Sequence, residues 1–177
     1  MSTVLDDFSS GSYSMPIPNS VSDLNYQAGT MLGGGRYTQL IVGLNPQNQP
    51  THFDIKDGFL NVSVGAAQTL RLEVGYGYQP DGSGGGKTVP LTDSGVGGFS
   101  SMGSAFRTNF HFSDNMLINF NIVVFTANGW ASYGENVTVA PFSPKHIDFP
   151  FEQFVGPTNP DFSNVNAASC LQVVQPG

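Results

Sequence analysis

The stretch "TLRLEVGYGY", residues 69–78, alternates large apolar residues with polar or small ones. Successive side chains of a strand point to opposite sides, so one face would carry Leu70, Leu72, Val74, Tyr76 and Tyr78. The other face would carry residues 71, 73, 75 and 77, which are two charged residues and two glycines. This period of two is typical of a β-strand that has one buried side and one solvated side.

The same alternation recurs along the chain, with turn signals between the runs. Asp57-Gly58 and Asn128-Gly129 are pairs that favour tight hairpins, and "SDN" (113–115) separates two aromatic runs. We expect about ten strands and no helix, and therefore an all-β, antiparallel β-sandwich of the jelly-roll type. The whole chain, residues 1–177, forms one domain in this interpretation, with residues 1–22 and 166–177 as candidate extended arms. The further predicted strands are 37–44, 59–65, 105–112, 116–125, 136–139 and 169–174.

The composition supports this class and excludes several functions. Charged residues make up 11% of the chain, against about a quarter in ordinary soluble proteins. Lys and Arg total six, the formal net charge is −7, and no basic cluster occurs. Direct binding to nucleic acid or to an anionic membrane surface is therefore not expected. No apolar run approaches the roughly 20 residues that a membrane-spanning helix needs.

The segment "DGSGGGKT", residues 81–88, superficially looks like a phosphate-binding loop. A P-loop needs glycine at its first position and a helix after it. Asp81 occupies that first position, and Pro90 follows where the helix would begin. We expect a glycine-rich loop after the preceding strand and no nucleotide site.

Catalysis and bound cofactors are not expected either. The chain has three glutamates in no distinctive motif and no G-x-S-x-G segment for a serine nucleophile. A His/Asp metal site or a calcium site would each need residues from distant parts of the chain to converge. Ordinary hydrogen-bonded side chains are the favoured interpretation, so we predict no metal. The candidates weighed are His52, Asp54, His111, His146 and Asp148 for a His/Asp site, and Asp6, Asp7 and Asp161 for calcium.

Trp130 and Tyr133 are the candidate binding residues. Trp130 is the only tryptophan and follows the turn at Asn128-Gly129, with Tyr133 three residues later. Exposed side chains of these types could stack on a sugar or anchor a partner protein. The alternative is a tryptophan packed at the end of the sandwich. The single cysteine, Cys170, lies in an apolar run and is predicted to be a buried structural thiol.

Several stretches carry a family resemblance. They are "VLDDF" (4–8), "GTMLGGGRYTQLIV" (29–42), "VPLTDSGVGGF" (89–99), the strand–"SDN"–strand unit around 110–122 and "FPFEQFVGPTNPDFSNVNAASCLQV" (149–173). Together they resemble bacterial, largely cyanobacterial, surface proteins with secreted jelly-roll domains that often end in a PEP-CTERM sorting tail. The closing stretch is also similar to carbohydrate-binding-type jelly rolls. That group has a leader peptide and a sorting tail, which this sequence does not show, so we expect a different use of the fold.

Two functional hypotheses follow. The favoured one is a virus capsid decoration or cement protein, of the kind that tailed cyanobacterial viruses carry on the virion. Its partners would be the major shell protein and further copies of itself in a trimer, because charge-poor, aromatic strands suit packed interfaces. Removing the first dozen residues should then weaken assembly without unfolding the sandwich. The alternative is a secreted carbohydrate-binding or cell-surface module that binds a glycan through Trp130 and Tyr133.

Overall fold

The computed structural model describes residues 4–17, 22–65, 67–93, 98–110, 117–138 and 144–175. Within these ranges the chain forms thirteen strands, one four-residue α-helix, α1 (Phe99–Met102), and two 3-10 turns at Leu32–Gly34 and Phe151–Gln153. The strands are β1 (Tyr13–Ile17), β2 (Ser22–Ala28), β3 (Gly35–Val42), β4 (Thr51–Lys56), β5 (Phe59–Ser63), β6 (Leu70–Tyr76), β7 (Tyr78–Pro80), β8 (Gly86–Thr88), β9 (Ala105–Phe110), β10 (Leu117–Thr126), β11 (Gly129–Thr138), β12 (Lys145–Pro150) and β13 (Val165–Gln175).

Six strands form the larger sheet, in the order β11-β10-β13-β6-β3-β2, and every neighbouring pair is antiparallel. Side chains alternate between the two sides of this sheet, as the sequence predicts. We call the side that packs against the core the inner face and the opposite side the outer face. The inner face is buried along Leu40, Val42, Leu70, Leu72, Val74, Tyr76, Ile118, Phe120, Ile122, Val124, Ala131 and Val137.

The second layer consists of the sheet β1-β4-β5 and the pair β12-β9. Phe53 and Ile55 on β4 and Phe149 on β12 are fully buried in one core cluster with the inner face of the larger sheet. The ring centroids of Phe120 and Phe149, one from each layer, lie 5.3 Å apart. The chain is thus an all-β, antiparallel β-sandwich of the jelly-roll type, as the sequence predicts.

Several local predictions are confirmed. Asn128-Gly129 lies at the turn between β10 and β11, and Asp57-Gly58 turns β4 into β5 with φ values of 54° and 81°. Both residues of a type I′ turn need positive φ, which explains the choice of Asp57-Gly58. In the other hairpin Thr126 pairs with Gly129, so the turn residues are Ala127 and Asn128, and of the Asn-Gly pair it is Gly129 that has positive φ. The "SDN" segment and the C-terminal two residues lie outside the described residues. The described residues form thirteen strands where about ten were expected, and β1, β2, β4, β8 and β12 lie outside the ranges predicted as strands.

The prediction that Tyr78 shares a face with Leu70–Tyr76 is wrong. Strand β6 ends at Tyr76, and the next residue, Gly77, has a φ of +92°. Residues other than glycine rarely adopt this backbone conformation. A Cβ at Gly77 would also lie 2.7 Å from the carbonyl oxygen of Asn166. The chain therefore changes direction at Gly77, and Tyr78 begins the separate hairpin of β7 and β8.

The first candidate arm folds back onto its own chain. We call residues 5–12 the N-terminal strap. The backbone nitrogen of Leu32 donates to the carbonyl oxygen of Leu5 (2.8 Å), and that of Thr30 donates to Ser10 Oγ (2.7 Å). These bonds hold the strap beside the ends of β2 and β3.

A buried ionic network completes this attachment. Arg36 on β3 is 0% exposed, and its Nη1 lies 2.6 Å from Asp6 Oδ2. Arg36 Nε donates to Gln27 Oε1 (3.0 Å), and Tyr76 Oη donates to Asp6 Oδ2 (3.0 Å). We call Asp6, Gln27, Arg36 and Tyr76 the Arg36 hub. Two strap carbonyls, those of Ser10 and Gly11, accept from Arg36 Nη2, and the Phe8 ring lies 5.1 Å from the guanidinium carbon.

The Arg36 hub makes the N-terminal strap part of the folded domain. Removing one partner of a buried ion pair leaves an uncompensated charge and is strongly destabilising. We therefore expect that removal of the first dozen residues destabilises the sandwich itself, which differs from the expectation drawn from the sequence. The second candidate arm is equally part of the fold, because residues 166–175 belong to β13, which lies between β10 and β6.

Candidate functional site

The two predicted binding residues lie on opposite faces of β11. Trp130 is on the outer face and 49% exposed, directly opposite Phe125 of β10, which is 41% exposed. Tyr133 is three positions further on and therefore points to the inner face. The structure does not bring the two side chains together, and only Trp130 is available to a ligand on the outer face.

Tyr133 belongs to the core instead. Its ring lies 5.9 Å from that of Phe149 and 6.0 Å from that of Phe154, measured between centroids. Its hydroxyl donates to the carboxylate of Glu135, and this bond raises the pKa of Tyr133. The prediction of an exposed Tyr133 beside the turn thus fails because the three-residue spacing crosses the sheet.

Three other tyrosines meet at the opposite end of the outer face, and we call Tyr26, Tyr37 and Tyr78 the tyrosine cluster. Tyr26 on β2 lies directly opposite Tyr37 on β3, with ring centroids 6.2 Å apart. The ring of Tyr78 meets that of Tyr37 edge-on at 4.9 Å. All three side chains are half-buried. The change of direction at Gly77 is what brings Tyr78 to this side.

Tyr37 lies across the backbone of the next strand. A Cβ at Gly75, its opposite residue on β6, would be 2.1 Å from Tyr37 Cε1, so only glycine leaves room for the ring. The Tyr37 hydroxyl donates to the carboxylate of Glu73. Burial, followed by the bond to Glu73, raises the pKa of Tyr37 well above its ordinary value, so this phenol remains a hydrogen-bond donor.

Arg71 and Glu73 supply the charge of this region. Arg71 Nη2 lies 3.3 Å from Glu73 Oε2, and the arginine side chain is 51% exposed while that of the glutamate is 18% exposed. Among the described outer-face side chains of the larger sheet, these are the charged ones, and they neutralise each other. The face can therefore offer directional hydrogen bonds without a net charge.

A row of small or polar residues connects the tyrosine cluster with Trp130. The strand register pairs one residue of each of five neighbouring strands with the next. From β3 to β11 these residues are Tyr37 (β3), Gly75 (β6), Ser169 (β13), Val123 (β10) and Ser132 (β11). Strands lie about 4.8 Å apart, so the two ends of this row are separated by about 19 Å. Tyr37 forms one end of this row, and at the other end Trp130 lies two residues from Ser132 on the same face of β11.

The histidine pairs do not form a metal site. His52 Nε2 is 2.8 Å from Asp54 Oδ2, and Asn61 Nδ2 donates to the other oxygen of this carboxylate at 2.7 Å. Burial alone would raise the pKa of Asp54, but bonds from Asn61, His52 and Lys56 hold it below its ordinary value.

The second pair is held by an arginine. His146 and Asp148 lie on β12, which belongs to a different sheet from β4. Asp148 forms a bidentate pair with Arg107, at 2.6 and 2.7 Å. His111 lies outside the described residues.

The acidic residues considered for calcium are separately engaged. Asp6 is part of the Arg36 hub, while Asp7 and Asp161 each accept the backbone nitrogen of the residue two positions later, Ser9 and Ser163. Within the described ranges, no group of three or more His, Cys, Asp or Glu side chains could hold a metal ion.

Residues 81–85 of the glycine-rich segment form the loop of a short hairpin, and residues 86–88 form its second strand. Strands β7 and β8 pair, and Asp81 Oδ1 accepts the backbone nitrogens of Ser83 (2.8 Å) and Gly85 (3.0 Å). These bonds lower the pKa of Asp81. A carboxylate occupies the donors that a phosphate would use, which agrees with the exclusion of a nucleotide site.

Sequence reasoning missed the tyrosine cluster, Phe125, Arg71 and Glu73. The available signal was the presence of aromatic residues at solvent-side positions of the alternation, as in "LNYQA" and "GRYTQL". Tyr26 and Tyr37 stand at positions that this alternation would leave to solvent. Their proximity depends on strand pairing, which a single sequence does not contain.

Comparisons with known proteins give one distant likeness. No protein-family model and no curated protein matches the sequence. Among solved structures, the chain is similar to the family 11 carbohydrate-binding module of the cellulosomal cellulase Lic26A-Cel5E of Clostridium thermocellum. The TM-score is 0.38 at 15% identity, with 99% of this chain and 92% of that one covered. A likeness at this level carries no argument about function. Separately, no helix in the described part of the chain has the length and apolar character required to cross a membrane.

Proposed function

We propose that the protein is a non-catalytic carbohydrate-binding module, and that its ligand lies on the outer face of the six-stranded sheet. The observation that carries the proposal is the placement of Tyr37 on β3 and of Trp130 on β11 on the outer face of the same sheet, near opposite ends of one row of paired residues. Aromatic rings offer flat apolar surface to the apolar faces of sugars, and flanking polar groups can bond the hydroxyls. A protein with this function would act outside the cell or at the cell surface.

The dimensions favour a glycan chain over a single sugar. Tyr37 and Trp130 belong to strands about 19 Å apart, a distance that one monosaccharide cannot bridge. Between them, Gly75 lies beneath the Tyr37 ring, and the half-buried Val123 and Ser132 carry small side chains. A chain crossing the strands would therefore contact both aromatic ends at once.

The charges favour a neutral glycan. Arg71 and Glu73 form a pair and leave the face without net charge, while the whole chain carries −7. Polyanionic chains such as polygalacturonate would meet long-range repulsion. Glu73 and Glu135 each accept a hydrogen bond from a tyrosine hydroxyl, that of Tyr37 and that of Tyr133.

Affinity electrophoresis through gels that contain β-glucan, xylan, galactomannan or polygalacturonate tests the proposal. We expect retardation by at least one neutral polysaccharide and none by polygalacturonate. Covering about 100 Å² of an aromatic side chain contributes at most about 2.5 kcal/mol. Trp130→Ala and Tyr37→Ala should therefore each weaken binding by about tenfold or more.

Phe59→Ala is the matched control. Phe59 lies on β5 of the other sheet and is 46% exposed, close to the 49% of Trp130. Its replacement should leave retardation unchanged, as should Tyr133→Phe. Equal losses for Phe59→Ala and Trp130→Ala, or no retardation by any of the four polysaccharides, would count against the proposal.

Capsid decoration remains a second proposal with one feature in its favour. Phe125 and Trp130 form an exposed apolar patch with Val155, whose bridge to Ser132 places it on the same face. Aromatic side chains have areas of about 150–250 Å². Because these three residues are only partly exposed, the patch offers roughly 300 Å² of apolar surface, so a decoration interface would have to extend beyond it. A stable interface needs about 800 Å² on each partner. Co-sedimentation of this chain with large particles, at a fixed ratio to a shell protein, would favour decoration over glycan binding.

A further inference from the structure

The Arg36 hub and the tyrosine cluster occupy opposite sides of the same strands. Gln27 of the hub directly follows Tyr26 of the cluster on β2. Arg36 directly precedes Tyr37 on β3. The register pairs Gln27 with Arg36 on the inner face and Tyr26 with Tyr37 on the outer face, one step apart.

Strand β6 continues this relation. Tyr76 lies opposite Arg36, while its neighbour Gly75 lies opposite Tyr37 and beneath the Tyr37 ring. One residue beyond Tyr76, the chain turns at Gly77 to deliver Tyr78 to the cluster. Each hub residue on β2, β3 and β6 is thus next to, or two positions from, a cluster tyrosine.

We propose that the Arg36 hub positions the tyrosine cluster, so that glycan affinity depends on the attachment of the N-terminal strap. The strap provides Asp6, the charge partner of Arg36 and the acceptor of the Tyr76 hydroxyl. The inference rests on the proposed function, because it concerns the regulation of the same site. Asp6, Arg36 and Tyr76 are positioning residues and do not touch the ligand.

The physical reason is the tight fit on the outer face. The Tyr37 ring occupies the space where a Cβ of Gly75 would be, so a small displacement of β3 relative to β6 changes its contacts. Asp6 Oδ2 accepts hydrogen bonds from both Arg36 on β3 and Tyr76 on β6, and this shared acceptor opposes such a displacement. Detachment of the strap on the inner face would therefore change the position of the Tyr37 ring on the outer face.

Tyr76→Phe tests the coupling, because it removes the hydroxyl that bonds Asp6 and keeps the buried ring. Ile55→Val is the control, since Ile55 is also fully buried but lies on β4 of the other sheet. We expect Tyr76→Phe to weaken binding to the retarding polysaccharide about fivefold or more, and Ile55→Val to change it less than twofold. Should Tyr76→Phe not fold, Phe8→Leu removes the strap ring over Arg36 and tests the same dependence. Similar effects of the hub and control variants would overturn the inference.

A second measurement separates this inference from the proposed function. Ring resonances of ¹³C-labelled tyrosines should shift for Tyr26, Tyr37 and Tyr78 in Tyr76→Phe, without ligand, and stay in place in Ile55→Val. If the wild-type protein binds none of the polysaccharides, the proposed function fails while shifted resonances still support the coupling. Unshifted resonances in Tyr76→Phe overturn the coupling, whether or not a glycan binds.

Discussion

Replacing Asp6 with alanine is expected to lower the free energy of unfolding by about 3–5 kcal/mol, the range measured when one partner of a buried ion pair is removed. Arg36 is 0% exposed and the Asp6 side chain is 3% exposed, so solvent cannot substitute for the lost carboxylate. The Tyr76 hydroxyl would lose its acceptor as well. Natural domains are stable by about 5–15 kcal/mol, so this loss is a large fraction of the total.

Urea denaturation followed by circular dichroism measures the effect. With an m value of about 2 kcal/mol/M, the midpoint should fall by roughly 2 M at unchanged m. Asp7→Ala is the matched control. Asp7 is the next residue in the chain, but its carboxylate is exposed and, in the described chain, accepts hydrogen bonds from Ser9 only. That variant should leave the midpoint nearly unchanged.

A double variant tests the reason for the loss. Asp6→Ala combined with Arg36→Met removes both charges, so a substantial part of the stability should return. A loss of less than about 1 kcal/mol for Asp6→Ala, or an additive loss in the double variant, would refute the claim that the buried charge pair holds the strap. Deleting residues 1–12 should be at least as damaging as Asp6→Ala.

Three further outcomes follow from the structure. Gly75→Ala should displace the Tyr37 ring, since the new Cβ would lie 2.1 Å from Tyr37 Cε1. Glycan binding should weaken while the fold persists. Tyrosine ring resonances measure the displacement, and affinity electrophoresis measures the binding. Asp54 has a pKa lowered from 3.8 in the folded state, so its stabilisation is present above that pH and is lost as the pH falls through the folded value. Unfolding curves of wild type and Asp54→Asn should therefore converge at low pH, and a constant difference down to pH 2 would contradict the assignment. Burial raises the pKa of Cys170 to about 12, so its thiol should react slowly with a disulfide reagent at pH 8 in the native protein and rapidly in urea; equal rates would contradict the burial.

Local sequence information was enough for the strands and several turns. The alternation at Leu70–Val74 and at Ile118–Val124 assigns the buried side of β6 and β10, because a strand has only two faces. The pairs Asp57-Gly58 and Asn128-Gly129 mark two hairpins, and both residues of the first pair take the positive φ that a type I′ turn needs. Exclusion of a nucleotide site at residues 81–88 likewise needed only the identity of Asp81 and Pro90.

The candidate site was only partly accessible in this way. Trp130 could be identified because it is the single tryptophan and follows a turn, but Tyr133 was placed beside it without allowance for the faces of β11. The tyrosine cluster joins residues 26, 37 and 78, which approach one another through two strand pairings and the turn at Gly77. No spacing rule within one strand can bring these positions together.

The amino-acid sequence by itself determined the all-β class, the buried side of β6 and β10 and the lack of net positive charge, because these depend on residue type and on a period of two. Only the tertiary structure decided that Arg36 is fully buried against Asp6, thirty residues away, and that the N-terminus is a strap and not a free arm. It also decided which aromatic residues share the outer face. The physical reason is that strand order and register bring distant residues into contact, and long-range pairing energies are not encoded in any short segment.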